Sequence, residues 1–235
     1  MKVHVKRVLG RSSFGLSLID FGHEVKVLLS RDPARRQPFN GQVARRRTVE
    51  ALIQLFEPDA LVETGTGLGA TTVFLASTGL PTYSAEIKRL FFLAARVRLR
   101  HSKNTSLILG DSPEVLRHLA EHMTLRKPLA YLDAHWWSAL PLQQEIDQLL
   151  RWDEVIIVVD DFSVTHDADY RYDTHYGHPL SLEMLNLPSS VLVGFPAESA
   201  AGETGGKRGT LYIGQGAQAS AALREAVDRG LIRHP

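Results

Sequence analysis

The sequence contains no cysteine. That excludes a disulfide framework, a thiolate nucleophile and any cysteine-ligated metal. No apolar run approaches the roughly 20 residues that a membrane-spanning helix needs. The opening MKVHVKRVLGRSSFG has no continuous apolar segment of the kind that marks a secretory signal, so a cytoplasmic protein is expected. Net charge is also nearly absent. The 27 Lys and Arg against 26 Asp and Glu leave +1 with histidine neutral, and no global field points to nucleic acid or to an anionic membrane surface. The densest basic cluster, Arg45, Arg46 and Arg47, falls on a predicted helix and reads as a solvated face. What remains, 235 residues of which 44% are hydrophobic, is enough for one large α/β domain with a sizeable core.

Two regimes divide the chain. Residues 1–41 hold two short alternating segments separated by turn-rich stretches and read as an N-terminal extension, a hairpin that could mediate a dimer. From residue 42 onward the pattern is regular. Val49, Leu52, Ile53 and Phe56 recur at helical spacing and stop at Pro58. ALVET, PTYSAE, SLILGD, PLAYLD and EVIIVVDD follow as strand candidates. Helical stretches lie between them, among them one with Ile87, Leu90, Phe91, Ala94 and Val97 as its apolar stripe. Ser112 and Pro113 suit a helix start. Two late strands, near 191–194 and 210–213, flank a Gly-rich stretch, 202–209, that reads as a mobile hairpin connection. Strands alternating with helices predict an α/β, Rossmann-like doubly wound fold, its sheet mainly parallel and seven-stranded, with helices on both faces over 42–235.

The chemistry-bearing residues fall at the predicted strand ends. Glu63-Thr64-Gly65-Thr66-Gly67-Leu68-Gly69 closes the first strand. Its G-x-G-x-G spacing differs from the G-x-G-x-x-G of dinucleotide-binding proteins. A carboxylate two positions before the first glycine would repel a pyrophosphate and suit a ligand carrying an ammonium group, which favours S-adenosylmethionine over NAD. Glu86 ends the second strand, where a carboxylate can accept from ribose hydroxyls. Asp111 and Ser112 end the third, where an acid can accept from an adenine amino group or simply help cap the next helix. Asp133 ends the fourth strand and Asp160 and Asp161 the fifth. Clustered carboxylates repel one another unless a cation neutralises them, and hard oxygen ligands suit Mg²⁺ or another divalent ion. Residues 160 and 161 face opposite sides of a strand, so one ion reaches both only where the chain turns. His135 is the candidate general base; Trp136 and Trp137 could wall the cleft or pack beneath a loop. The polar stretch 163–179 overhangs this edge and reads as a substrate loop or lid.

In this order and spacing, VETGTGLGATT, SAEIKR, LGDSPEVL and YLDAHW resemble motifs I to IV of class I S-adenosylmethionine-dependent methyltransferases, a similarity spanning 42–213. The resemblance implies that Glu63, Gly65, Thr66, Gly67 and Gly69 hold the methionine part, Glu86 the ribose, and Asp111 and Ser112 the adenine, with Asp133 beside the cofactor. The three later acids resemble those of metal-dependent O-methyltransferases of the macrocin (sugar) or catechol type, which implies Asp133, Asp160 and Asp161 as metal ligands and Asp133 and His135 as catalytic residues. The catechol type carries a lysine base near strand four; YLDAHWWS has none. The expected activity is metal-assisted O-methylation of a small hydroxylated molecule, with neither nucleic acid nor membrane as partner. An NAD-dependent oxidoreductase and a non-catalytic nucleoside-binding or partner-binding module are the alternatives.

Overall fold

A computed structural model describes residues 26, 36–134 and 140–235. The proposed N-terminal hairpin therefore lies outside the described residues, as do His135, Trp136 and Trp137. A tight turn at Pro38–Gly41 leads into α1 (Val43–Phe56), followed by β1 (Ala60–Thr64), α2 (Ala70–Ser77), β2 (Thr82–Glu86), α3 (Arg89–Arg98), β3 (Thr105–Leu109), α4 (Ser112–His122), β4 (Pro128–Leu132), α5 (Leu142–Leu149) and β5 (Val155–Asp160). A small hairpin, β6 (Thr174–His175) and β7 (His178–Pro179), precedes β8 (Leu192–Pro196), β9 (Thr210–Gln215), α6 (Ala217–Asp228) and β10 (Ile232–Arg233).

The main sheet runs in the order β10-β8-β9-β5-β4-β1-β2-β3. β3, β2, β1, β4 and β5 are parallel, and β9, β8 and β10 continue the sheet through antiparallel pairings. Among the described residues the sheet has eight strands where seven are expected. The extra one, β10, is two residues long, too short to leave a period in the sequence. β1 is bordered by β4 on one side and β2 on the other, so strand order reverses there, the position at which open α/β sheets bind ligands beyond the carboxyl ends of their strands.

Period-two alternation divides the core between the two faces. Val155, Ile157 and Val159 of β5 join Leu116 of α4 and Ile146 of α5 on one side. Ile156 and Val158 pack with Leu52 of α1, Leu75 of α2 and Leu223 of α6 on the other. Asp160 is next in this alternation and points to the α1 face. Phe39, fully buried, sits edge-on to Phe74 and Tyr131, with ring centroids 4.9 and 5.1 Å away, and seals the turn before α1 onto that face. The stripe expected on α3 is shifted in phase: Phe92, Ala95 and Leu99 are buried against Leu107, while Ile87 and Val97 are exposed. This helix carries more apolar residues than its buried face needs, so periodicity alone misplaces the phase.

Candidate active site

The glycine turn is built against its neighbours. Gly65, Gly67 and Gly69 all adopt positive φ, and a Cβ on Gly65 would come within 2.2 Å of the Asp133 carbonyl oxygen. Backbone N–H groups of Gly65 and Thr66 donate to the Ala85 carbonyl, and the Thr66 hydroxyl meets Ser84 Oγ at 2.6 Å. Thr66 thus directs its side chain to β2 and braces the loop against that strand.

Two carboxylates hold the ends of β1 and β2 in register. Glu63 is buried and accepts from Thr72 and Ser84, each at 2.5 Å. Burial pushes its carboxyl up to about 7; the nearby Glu86 charge adds to the effect, and the two hydroxyls oppose it. Glu86 accepts from Gly67 N–H at 2.8 Å and Lys88 N–H at 2.7 Å, locking the glycine loop to the end of its own strand. Asp111 is exposed at the start of α4. It is the N-cap residue there without a side-chain cap bond, so Ser112 stands one position inside the helix rather than at its cap. Ser112 is buried and faces Glu145 of α5. Glu145 is missing from the sequence-derived set. A lone acid on an amphipathic helix gives no sign that its carboxyl is fully buried.

Asp133, Asp160 and Asp161 do lie close together: Asp160 raises the proton affinity of both Asp133 and Asp161, and Asp161 that of Asp133. Asp133 is held well above the usual carboxylate range, first by shielding from water and then by Asp160, Asp161 and Glu63. The chain turns at Asp161, whose φ is +57°. The two adjacent carboxylates nevertheless have separate partners. Asp160 is fully buried, ion-paired to Arg45 of α1, and accepts from the Tyr131 hydroxyl at 2.6 Å, Asn40 Nδ2 at 3.2 Å and Asp161 N–H at 2.7 Å. Asp161 is paired to Arg208, whose guanidinium also binds Asp173 at the foot of the β6–β7 hairpin. This donor set does not fit a divalent cation as folded, because Asp160 Oδ1 and Asp161 Oδ1 are each paired with a guanidinium and Asp160 Oδ2 is taken by Tyr131 and Asn40. Among the described residues no group of three or more His, Asp or Glu is arranged to hold a metal.

Three sequence readings are thereby corrected. Asp160 and Asp161 are arginine-paired instead of disposed around a shared ion. Arg45 is buried, not part of a solvated face; only Arg46 and Arg47 of that cluster are exposed. The stretch 202–209 is tied down, with Glu203 accepting from Ala44 and Arg45 N–H at the start of α1, Thr204 bonded to Val43 N–H and the Gly41 carbonyl, and Arg208 placed on Asp161. An acid at a helix N-terminus is favoured by the free N–H groups there, but a contact spanning about 160 positions leaves no local signal. In the stretch read as a substrate loop, Tyr170 is buried with its hydroxyl donating to the Glu198 carbonyl, and Asp167 accepts from Ala200 N–H. Tyr172 and Tyr176 are exposed.

No known family model matches the sequence, and no curated protein matches it. Solved structures do match in fold. A Klebsiella pneumoniae protein assigned as an O-methyltransferase superposes with a TM-score of 0.54 at 17% identity, covering 83% of this chain and 96% of that one. The O-methyltransferase of Bacillus cereus, in complex with SAH, gives 0.54 at 13% identity over 83% of this chain and 90% of its own. A variant of MtNAS in complex with S-adenosylmethionine gives 0.50 at 13% identity, with 83% and 71% covered. At these identities the likeness establishes the fold: a Rossmann-like α/β sheet shared with S-adenosylmethionine-binding enzymes.

Proposed function

We propose that this protein is an S-adenosylmethionine-dependent methyltransferase acting on the hydroxyl of a small molecule in the cytoplasm. The observation that carries the reading is the reversal of strand order at β1. There a buried Glu63, a Gly65-x-Gly67-x-Gly69 turn and Glu86 stand side by side on β1 and β2. Two of the fold neighbours with TM-scores of 0.50 or more were crystallised with SAH or S-adenosylmethionine, which supports the same cofactor here. In this reading the turn and Glu63 take the methionine end, Glu86 the ribose hydroxyls, and Asp111 the adenine.

The transfer itself is a displacement. A lone pair of the acceptor oxygen forms the new C–O bond and the methyl C–S bond breaks. Its electron pair stays on sulfur to give S-adenosylhomocysteine. The acceptor proton passes to a base at this edge, where Asp133, directly after β4, and His135, two residues on, are the candidates. Most of the acceleration in such a step comes from holding oxygen and methyl in line. A divalent cation on Asp133, Asp160 and Asp161 is not part of this reading, because Arg45 is paired with Asp160 and Arg208 with Asp161.

Isothermal titration tests the assignment. S-adenosylmethionine and S-adenosylhomocysteine are expected to bind in the micromolar range and NAD not to bind. Glu86→Ala is expected to weaken both ligands at least tenfold. NAD binding that competes with either would overturn the cofactor assignment, and cofactor binding without turnover on sugars, diols and phenols would favour a silent binding module.

A further inference from the structure

Resting on the reading above, we infer that Arg208 takes the place of a divalent cation at the acceptor end of the site, so that this acid cluster works with a resident guanidinium and excludes free Mg²⁺. Four carboxylates gather there, Asp133, Asp160, Asp161 and Asp173, against two arginines. The arginines are not equivalent. Arg45 is almost completely buried, its side chain 1% exposed; it pairs with Asp160 and also donates to Tyr131 and to the carbonyls of Arg208 and Gly209. It is a structural counter-ion on the α1 face. The side chain of Arg208 is 26% exposed. Nε goes to Asp161 and one terminal nitrogen to Asp173, so the guanidinium spans the carboxylates of β5 and of the β6–β7 hairpin.

The backbone around Arg208 fixes that position. Its N–H donates to Gln42 Oε1 at 2.8 Å, and its carbonyl accepts from Gln42 Nε2 at 2.9 Å. Arg171 pairs with the same stretch, through its N–H to the Lys207 carbonyl and through its carbonyl to Gly209 N–H, each at 2.8 Å. A side chain delivered from a backbone clamped on both sides is pre-organised, and a planar fork across two carboxylates is the geometry arginine provides and lysine does not. A Mg²⁺ ion demands near-octahedral oxygen ligation. To take Asp161 Oδ1 it would have to expel a guanidinium held by two acids and delivered from a clamped backbone.

The test reads metal binding directly, without cofactor or turnover. Purified full-length protein, stripped with EDTA, is titrated with Mn²⁺ and free ion is followed by electron paramagnetic resonance. Wild type is expected to show no site tighter than about 1 mM. Arg208→Ala, and Arg208→Gln where the alanine variant does not fold, is expected to gain Mn²⁺ affinity at least tenfold. Adding Asp161→Asn to that variant is expected to remove the gain. Micromolar Mn²⁺ binding by wild type that Asp161→Asn abolishes would overturn the inference, because the ion would then displace Arg208. Unchanged Mn²⁺ binding in a folded Arg208 variant would overturn it too, by showing that the guanidinium does not hold the ion out. Failure to bind S-adenosylmethionine would sink the methyltransferase reading and leave this result to be judged on Mn²⁺ alone.

Discussion

A carboxyl buried without a partner is expensive to ionise, and Glu145 is such a group. It is fully buried on α5, neither oxygen has a hydrogen bond among the described residues, and burial pushes it up to about 7. The hydroxyls of Ser112 and Thr64 lie near enough to favour the charged form, but they do not offset desolvation. The sign follows from linkage. The ordinary value is 4.5, so below it the carboxyl is protonated in both folded and unfolded chains and costs nothing. Between 4.5 and about 7 the unfolded chain ionises first and stability falls; above 7 the penalty is complete. Glu145→Gln removes the charge at nearly constant shape. Urea unfolding is expected to show it more stable than wild type by about 1–3 kcal/mol at pH 8 and unchanged near pH 4.5. A gain of equal size at both pH values would show that ionisation is not the cause.

At the scale of elements, the glycine turn after β1 is shaped by the exit of β4. Gly65 has φ +78° and its missing Cβ faces the Asp133 carbonyl, whereas Gly79, at the end of α2, has φ +84° and open space around it. Alanine at either position meets the left-handed backbone penalty, about 1–2 kcal/mol. Only Gly65→Ala adds a collision with backbone that cannot move without shifting β4. Gly65→Ala is therefore expected to be less stable than Gly79→Ala by a further penalty of about 1–3 kcal/mol, and to bind S-adenosylhomocysteine at least tenfold more weakly while Gly79→Ala binds normally. Thermal unfolding with titration of both variants makes the comparison; equal effects would remove the steric argument.

For the molecule as a whole, two apolar layers enclose the sheet while the buried acids Glu63, Glu86, Asp160 and Asp161 stand at the carboxyl ends of its parallel strands. A site at those ends is stabilised by whatever ligand fits it. A ligand at a hundred times its Kd adds about 2.7 kcal/mol to the folded state, which for a domain of this size raises the melting temperature by roughly 5–10 °C. S-adenosylhomocysteine is expected to produce that shift in a thermal scan, and NAD at the same concentration none. The same scale accounts for what the fold neighbours contribute. They share the sheet at 13–17% identity, so they speak to architecture rather than to the chemistry of the site.

Periodicity and strand-end chemistry are both local properties, and they make the parallel sheet, its principal elements and the acids at the ends of β1 to β5 legible in the sequence alone. Apolar alternation follows from which face is buried, and glycines follow from a turn that no side chain fits. The partners of those acids are not legible in the same way. In sequence, Arg45 is one of three adjacent arginines on a helix, and Arg208 belongs to a glycine-rich connection. Each meets its aspartate across more than 40 positions. Whether clustered carboxylates are neutralised by a metal or by arginine depends on which cation the folded chain brings within reach, and that is decided only when α1, β5 and the segment before β9 come together.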